Sequence, residues 1–319
     1  MMCLHYYSKN FVSVKCLRCF FHVDMLYWLH LRGGREISAL KKIETSTITA
    51  RIRDLCIRAN YQLPADVAER IRACHQIEPW PQAKETLGRL MENMEIAAQE
   101  QVPICQDTGM ACVRIELGQE VHIIGGDLYA AIHEGVRQGY TDGYLRKSIV
   151  SDPLQRVNTG DNTPAMIHLD VVPGDTLTIT VAPKGAGSEN MSRLAMLPPS
   201  AGRGGVIDFV VETVALAGPN PCPPIVVGVG IGGSFDVVAG LAKQAVLRPL
   251  NQPNPDTYYR GLEETLLEQI NALGLGPQGF GGQSTALGVN IKTYPTHIAA
   301  LPVAVNINCH VARSATVVL

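Results

Sequence analysis

The 319-residue sequence has little charge, and neither sign is in marked excess. Charged side chains make up 18% of the residues, and the formal net charge is −2. Because basic residues are not in excess, the composition gives no reason to expect nucleic acid or a membrane surface as a partner. The sequence also lacks internal repeats and low-complexity linkers. Its 30 glycines, 20 prolines and 46% hydrophobic residues are typical of a soluble globular enzyme with many tight turns.

The sequence has no long uninterrupted apolar run. The most apolar stretch near the amino terminus, residues 16–31, contains four polar side chains, Arg18, His22, Asp24 and His30. A membrane-spanning helix needs about 20 predominantly apolar residues, so this stretch is too short and too charged. No small-residue cleavage site follows it, which argues against a secretory signal peptide. Residues 1–34 are therefore predicted to be an atypical, poorly ordered extension.

The nine cysteines are not typical of a disulfide framework, because their number is odd and no secretory signal is evident. This cysteine usage predicts a cytoplasmic, reducing environment with buried or metal-bound thiols. Cys56, Cys74 and Cys112 fall within predicted helices or strands, and we interpret all three as core residues.

Three further cysteines lie in loop-like segments that suggest chemistry. The segments are Pro-Ile-Cys105-Gln-Asp-Thr-Gly, Gly-Pro-Asn-Pro-Cys222-Pro-Pro and Asn-Ile-Asn-Cys309-His. An iron–sulfur cluster that transfers electrons normally takes four cysteines. Three thiolates on a four-iron cluster would leave one iron open, and an open iron is a Lewis acid that can bind a hydroxyl or a carboxylate. This arrangement predicts a hydro-lyase.

Hydrophobic periodicity predicts helices first, and a mixture of strands and helices afterwards. Residues 46–101 show helical spacing, with Ser46 or Thr47 as N-cap and Pro64 in the first turn of a second helix. Strands are predicted at residues 110–117, 165–172, 176–182, 225–229 and 301–307. Helices are predicted at residues 127–138, 205–216, 235–248 and 257–273. The turn at residues 171–175 predicts a hairpin between its flanking strands. The predicted fold class is α+β, with an N-terminal helical portion packed on a sheet-containing portion.

Several long motifs follow one another in a fixed order along the chain. They include Gly143-Tyr-Leu-Arg-Lys-Ser148, Asn158-Thr-Gly-Asp-Asn-Thr-Pro164, Ala182-Pro-Lys-Gly-Ala-Gly-Ser-Glu-Asn190 and Thr285-Ala-Leu-Gly-Val-Asn290, besides the three cysteine segments. Together they resemble the alpha subunits of class I fumarate hydratase and of L(+)-tartrate dehydratase. The resemblance implies that residues 35–319 form a fumarase-type alpha catalytic region.

The resemblance implies a [4Fe-4S] cluster held by Cys105, Cys222 and Cys309, with one iron open to substrate. The implied reaction is reversible hydration of fumarate to L-malate, and the alternative is dehydration of L(+)-tartrate. Two other classes of protein stay open. One is an electron-transfer iron–sulfur protein, which would need a fourth cysteine such as Cys112. The other is a non-catalytic subunit that binds a dicarboxylate as a sensor.

The resemblance also implies which side chains meet a dicarboxylate substrate. Gln106 would contact the substrate, and Asp107 would both bind it and transfer a proton. Arg146 would hold a carboxylate through two parallel hydrogen bonds, which a lysine cannot reproduce. The alternatives are that Asp107 caps the turn before Gly109 and that Arg146 forms a surface salt bridge.

The remaining candidates are a glycine and two histidines. The backbone at Gly187 would touch the substrate, because glycine places no Cβ in the way. His297 would act in proton transfer near the cluster, and a structural hydrogen bond is the alternative. His310 would support the adjacent cluster ligand. The run Gly228-Val-Gly-Ile-Gly-Gly233 fails the spacing of a dinucleotide-binding fingerprint, so we do not interpret it as a nucleotide site.

A second chain is expected to complete the site. In the family that the motifs resemble, a second region supplies a threonine, arginines and a lysine to the substrate. This chain ends at Leu319, soon after the third candidate cluster cysteine, and contains none of that region. It is therefore predicted to be half of an enzyme whose beta subunit is separate, in a hetero-oligomer of two alpha and two beta subunits.

Overall fold

The computed structural model describes residues 40–319, and the predicted extension over residues 1–34 lies outside that range. The described part begins with one short strand and three helices, β1 (Lys41–Glu44), α1 (Thr45–Tyr61), α2 (Ala65–Ile77) and α3 (Pro81–Glu100). These elements confirm the predicted helical N-terminal portion. Glu44 rather than Ser46 or Thr47 precedes the first helix, and it makes no side-chain capping bond. Pro64 is likewise the N-cap of α2 and not part of its first turn.

Strands and helices then alternate to the end of the chain. In order they are β2 (Met110–Gly118), β3 (Val121–Ile124), α4 (Leu128–Asp142), β4 (Met166–Val172), β5 (Leu177–Lys184), α5 (Ala186–Glu189), β6 (Arg193–Leu197), α6 (Gly202–Ala217), β7 (Ile225–Gly232), α7 (Phe235–Ala245), α8 (Thr257–Ala272), β8 (Ala286–Tyr294), β9 (Leu301–Asn308) and β10 (Ala315–Val318). The mixture confirms the α+β class. Within residues 40–319, no helix is both long and apolar enough to cross a membrane.

The first large sheet has the strand order β10-β5-β2-β4. The predicted hairpin between β4 and β5 is wrong, because β2 lies between them, parallel to β4 and antiparallel to β5. Val113 and Ile115 of β2 are fully buried, and a strand so buried needs a hydrogen-bonded partner on each edge. The turn after β4 instead accepts hydrogen bonds from the end of β2, where the backbone N–H groups of Gln119 and Glu120 reach Val172 and Gly174.

Helices α1 and α4 cover one face of this sheet and enclose the first hydrophobic core with it. The two helices pack closely because glycines face the contact. A Cβ on Gly135 would lie 2.7 Å from the carbonyl oxygen of Thr49, and one on Gly139 would lie 2.7 Å from the Cβ of Cys56. Cys56 is fully buried in this core, as the sequence predicted. The parallel pair β1–β3 forms a separate two-stranded sheet.

The second large sheet has the order β6-β9-β7-β8 and is covered by α6 and α8 on one face and by α7 on the other. Val227 and Val229 of β7 point into the core with α6 and α8. Gly228 and Gly230 face α7, where added Cβ atoms would lie 2.4 and 2.3 Å from the carbonyl oxygens of Ala242 and Val238. The glycine run therefore lets a helix approach the strand closely.

Candidate active site

The three candidate cluster cysteines come from three different connections. Cys105 lies between α3 and β2, Cys222 lies between α6 and β7, and Cys309 directly follows β9. Cys105 and Cys309 pack against the same apolar cluster, which includes Ile104 and Val311. Burial raises the pKa of Cys222, and the charge of the nearby Cys105 raises it further. Burial also raises the pKa of Cys309, with a further increase from Cys105. The fold thus brings all three thiols into one region.

The segment around Cys222 is tied to the segment around Cys309 through His310. The carbonyl oxygen of Cys222 lies 3.0 Å from Nδ1 of His310, and it also accepts a bond from the His310 backbone N–H at 3.4 Å. Gln278 adds a second tie, because its backbone N–H and its side-chain amide both donate to the carbonyl oxygen of Pro223. These bonds fix the backbone next to two of the three thiols.

The donor set is chemically suited to an iron–sulfur cluster, because thiolates are soft ligands of the kind that such clusters take. Among residues 40–319, no three His, Cys, Asp or Glu side chains are grouped closely enough to hold a single metal ion. Cys222 is exposed, so a cluster bound there would be reachable from solvent.

Asp107 joins the first cysteine segment to the glycine-rich segment. Its Oδ1 accepts a hydrogen bond from the backbone N–H of Gly109 at 3.0 Å, which is the turn-capping role considered as its alternative. Its Oδ2 accepts a bond from the backbone N–H of Ala186, also at 3.0 Å. Arg313, which is 3% exposed, donates to the backbone carbonyl oxygen of Asp107. The carboxylate is therefore held in place, and its acid/base role stays a prediction.

The predicted substrate contacts Gln106 and Gly187 are both exposed. Gly187 lies in the short helix α5, whose first N–H is bonded to Asp107. A Cβ on Gly187 would lie 3.7 Å from the carbonyl oxygen of Asn220, two residues before Cys222. Gln106 has no hydrogen-bond partner within the described range. Both residues are thus accessible from solvent, with Gln106 next to Cys105 in the chain and Gly187 close to the segment of Cys222.

Arg146 presents a free guanidinium. The side chain is exposed and has no ion pair or hydrogen bond with any residue from 40 to 319, so the surface salt bridge considered as its alternative is not formed. The backbone at Arg146 is nevertheless held, because Thr108 Oγ1 donates to its carbonyl oxygen at 3.0 Å. Thr108 follows Asp107 directly. The backbone of Arg146 is therefore held beside the first cysteine segment, and its guanidinium is available to an anion.

His297 is not close to the cysteines in this chain. It lies in the connection between β8 and β9, at the opposite end of β9 from Cys309. Its neighbour Thr296 donates to the carbonyl oxygen of Gly233, just beyond the far end of β7. Eight strand residues at about 3.3 Å each separate the two ends by roughly 25 Å. His297 therefore lies far from Cys309 within one chain, and its role in proton transfer stays a prediction. Its Nδ1 accepts a structural bond from the Ala299 N–H at 3.1 Å.

A buried ionic network, which no local sequence pattern indicated, lies behind the glycine-rich segment. Lys184 is 4% exposed, and its Nζ donates to Ser188 Oγ at 2.6 Å and lies 3.5 Å from Glu189 Oε2. Glu189 also accepts bonds from Lys243 and from Asn306. Burial lowers the pKa of Lys184, and Glu189 opposes that effect. Burial pushes the pKa of Glu189 upward, but the bonds from Lys243 and Asn306 lower it overall.

Cys112 is not a core residue, in contrast to its sequence interpretation. It is half-buried and lines a cavity between the two large sheets, together with His168, Lys184 and Lys243. Burial raises the pKa of its thiol, while the charge of Lys243 lowers it. Cys112 therefore belongs to the surroundings of the ionic network. Cys74, also interpreted as core, is half-buried at the edge of a smaller cluster that includes Ile71.

Comparison with known proteins identifies the family of this chain. A family model described as fumarate hydratase (fumerase) matches residues 49–318. A protein of Methanocaldococcus jannaschii, provisionally named L(+)-tartrate dehydratase subunit alpha, is 42% identical over 268 residues, which cover 82% of this chain and 94% of the relative. The L(+)-tartrate dehydratase subunit alpha of Escherichia coli is 31% identical over 283 residues, covering 88% of this chain and 93% of that protein. The chain therefore belongs to the fumarate hydratase (fumerase) family of hydro-lyases.

Proposed function

We propose that this chain is the alpha subunit of an iron–sulfur hydro-lyase that acts on a short dicarboxylate, with L(+)-tartrate as the first candidate substrate. The observation that carries the proposal is the grouping of Cys105, Cys222 and Cys309 beside Asp107 and a free arginine. Fumarate was the substrate expected from the sequence. The relatives named as L(+)-tartrate dehydratase subunits support tartrate at least as well, and fumarate stays the second candidate because of the matching family model.

The cluster would be held by the three cysteines. When bound, a [4Fe-4S] cluster with one iron free of protein ligands supplies a Lewis acid that makes a substrate hydroxyl a better leaving group. Burial raises the pKa of Cys309, and the buried cations Arg313 and Lys184 partly offset that increase. The electron-transfer alternative is less well supported, since Cys112, its candidate fourth ligand, lines the cavity of the ionic network.

The residues of this chain would bind the substrate and move a proton. Arg146 would hold one carboxylate through two parallel hydrogen bonds. The backbone at Gly187 would approach the substrate on the side of Cys222. Dehydration removes a hydroxide from one carbon and a proton from its neighbour, and together these make one water. Asp107 is the proposed carboxylate for proton transfer, because its backbone hydrogen bonds orient it between the segments of Cys105 and Gly187.

A beta subunit is the proposed partner. Both relatives described above are named as alpha subunits, which implies a second polypeptide in their enzymes. A dicarboxylate carries two negative charges, and Arg146 is the arginine of this chain that we assign to one of them. The partner would supply the further cations and the second proton-transfer group, in an assembly of two alpha and two beta subunits. An oxygen-accessible cluster at the exposed Cys222 would suit a reducing cytoplasm.

Reconstitution of the two subunits tests this function. The chain is purified without oxygen, alone and after co-expression with the beta-type chain of a neighbouring reading frame. We expect no turnover by this chain alone, and turnover of L(+)-tartrate or of fumarate and L-malate by the pair. The substrate with the higher kcat/KM identifies the activity. Full activity of this chain alone would contradict the half-enzyme proposal, and an inactive, cluster-loaded pair would contradict the hydro-lyase assignment.

A further inference from the structure

We propose that Asn162 is a positioning residue that fixes the position of Arg146 relative to Asp107. The proposal rests on the proposed function, in which Arg146 binds a substrate carboxylate and Asp107 transfers a proton. Asn162 lies in the Asn158-Thr-Gly-Asp-Asn-Thr-Pro164 motif.

The side chain of Asn162 connects the two functional segments directly. It is fully buried, with 0% exposure. Its Oδ1 accepts a hydrogen bond from the backbone N–H of Ser148 at 2.7 Å, and its Nδ2 donates to the carbonyl oxygen of Gly109 at 3.2 Å. Ser148 is two residues after Arg146, and Gly109 is two residues after Asp107. One amide group therefore spans the backbones that carry the two candidate functional side chains.

The backbone of Asn162 is held in a conformation that few side chains adopt. Its φ angle is +64°, in the left-handed region where asparagine is among the most tolerated residues after glycine. The neighbouring Asp161 stabilises the turn, because its Oδ1 accepts bonds from both the N–H and the hydroxyl of Thr163. This backbone conformation thus directs the small amide side chain between the segments of Arg146 and Asp107. A larger side chain could not make the same two hydrogen bonds there.

The backbone that follows Asp107 is also held by a residue other than Asn162. The buried Tyr140 hydroxyl lies 2.8 Å from the carbonyl oxygen of Thr108 and 2.9 Å from that of Gly109. On the Arg146 side, Thr108 reaches the carbonyl oxygen of Arg146 and Asn158 reaches that of Lys147, whereas the Ser148 N–H is held by Asn162. Loss of the Asn162 amide would therefore loosen the backbone that follows Arg146 while the turn at Asp107 keeps its position.

Two substitutions separate the two hydrogen bonds. Asn162→Gly suits the positive φ but removes both bonds. Asn162→Asp keeps the acceptor for the Ser148 N–H and loses the donor to Gly109. In the reconstituted enzyme we expect Asn162→Gly to lower kcat/KM about tenfold. Asn158→Ala is the matched control, because Asn158 lies in the same motif and donates to the carbonyl oxygen of Lys147 but is exposed to water. It should change kcat/KM by less than about twofold.

A double-mutant cycle distinguishes positioning from a general structural role. If Asn162 acts through Arg146, Asn162→Gly should cost less than about threefold in an enzyme that already carries Arg146→Lys. Equal costs in both backgrounds would overturn the positioning role. Absence of turnover by the wild-type pair would overturn the proposed function, and this role with it.

Hydrogen exchange at the Ser148 amide gives a readout that does not need turnover. In the reconstituted enzyme, mass spectrometry of peptides that contain Ser148 should show exchange at least about tenfold faster in Asn162→Gly. Asn162→Asp should keep slow exchange, and so should Asn158→Ala. Unchanged exchange in Asn162→Gly would show that the connection is not present, and would overturn the inference whatever substrate the enzyme uses.

Discussion

At the scale of single residues, Arg146 and Lys184 show two different uses of a positive charge. Lys184 is buried and held by Ser188 and Glu189, so its charge is compensated within the fold. The guanidinium of Arg146 is exposed and unpaired within residues 40–319, yet its backbone is held by Thr108. A cation that the fold positions but does not neutralise is suited to an external anion.

Arg146→Lys tests this interpretation, because lysine keeps the charge and loses the planar fork. We expect kcat/KM of the reconstituted enzyme to fall at least tenfold, which corresponds to about 1.4 kcal/mol of transition-state stabilisation. Lys147→Arg is the matched control, since it changes the adjacent cation without affecting the fork, and it should leave kcat/KM within about twofold. Iron content and circular dichroism should not change in either variant. Wild-type kinetics for Arg146→Lys would place the residue outside the site.

At the scale of elements, the contact between β7 and α7 is set by glycines on one face of the strand. Valines on the other face of β7 fill the core under α6 and α8. This alternation follows the two-residue period of a strand, and the smallest residue is used where a helix backbone lies against the sheet. The same packing holds β9, the strand that leads to Cys309, because Ala304 of β9 contacts the cluster under α7.

Two glycine substitutions in this contact should have opposite effects on stability. A Cβ at Gly230 would lie 2.3 Å from the carbonyl oxygen of Val238, so Gly230→Ala should destabilise the fold by about 3 kcal/mol or more through overpacking. Gly240 lies inside α7, and no atom lies within 4 Å of an added Cβ. Gly240→Ala should therefore stabilise the fold by about 0.5–1 kcal/mol through helix propensity. Urea denaturation measures both, and equal shifts would contradict the packing argument.

At the scale of the whole molecule, the candidate site is assembled from segments more than a hundred residues apart in sequence. Cys105 comes from the connection to the first large sheet, whereas Cys222 and Cys309 flank strands of the second. Hydrogen bonds between protein groups, such as that between His310 and the carbonyl oxygen of Cys222, connect these segments and do not involve the thiols. The protein should therefore keep its fold when the cluster is lost.

Cys222→Ser tests the ligand set and the independence of the fold together. A hydroxyl is a poor iron–sulfur ligand, so we expect the visible absorbance of the cluster and the activity of the reconstituted enzyme to be lost. Far-UV circular dichroism should be retained. Cys74→Ser is the matched control, and it should keep both iron and activity because Cys74 lies beside Ile71, outside the candidate site. A fully loaded Cys222→Ser protein would show that Cys222 is not a ligand.

Elements whose signals are local could be predicted from the sequence. Helix α3 lies within the predicted helical region and begins at Pro81, and α8 begins at the predicted Thr257, because proline is favoured in a first turn and aspartate at an N-cap. The three cysteine segments were also recognised locally, from the rigid residues around each thiol. The family followed from the order of such motifs, and the comparisons confirm it.

How distant segments meet depends on the tertiary structure. The position of β2 between β4 and β5 is set by strand pairing in the assembled sheet, and local sequence patterns do not specify that pairing. The far position of His297 follows from the extended length of β9, which a count of twelve residues along the sequence does not reveal. Asn162 and the network around Lys184 connect residues from separate elements. Hydrogen bonds and ion pairs of this kind depend on distances in space, and the order of residues in a chain does not fix those distances.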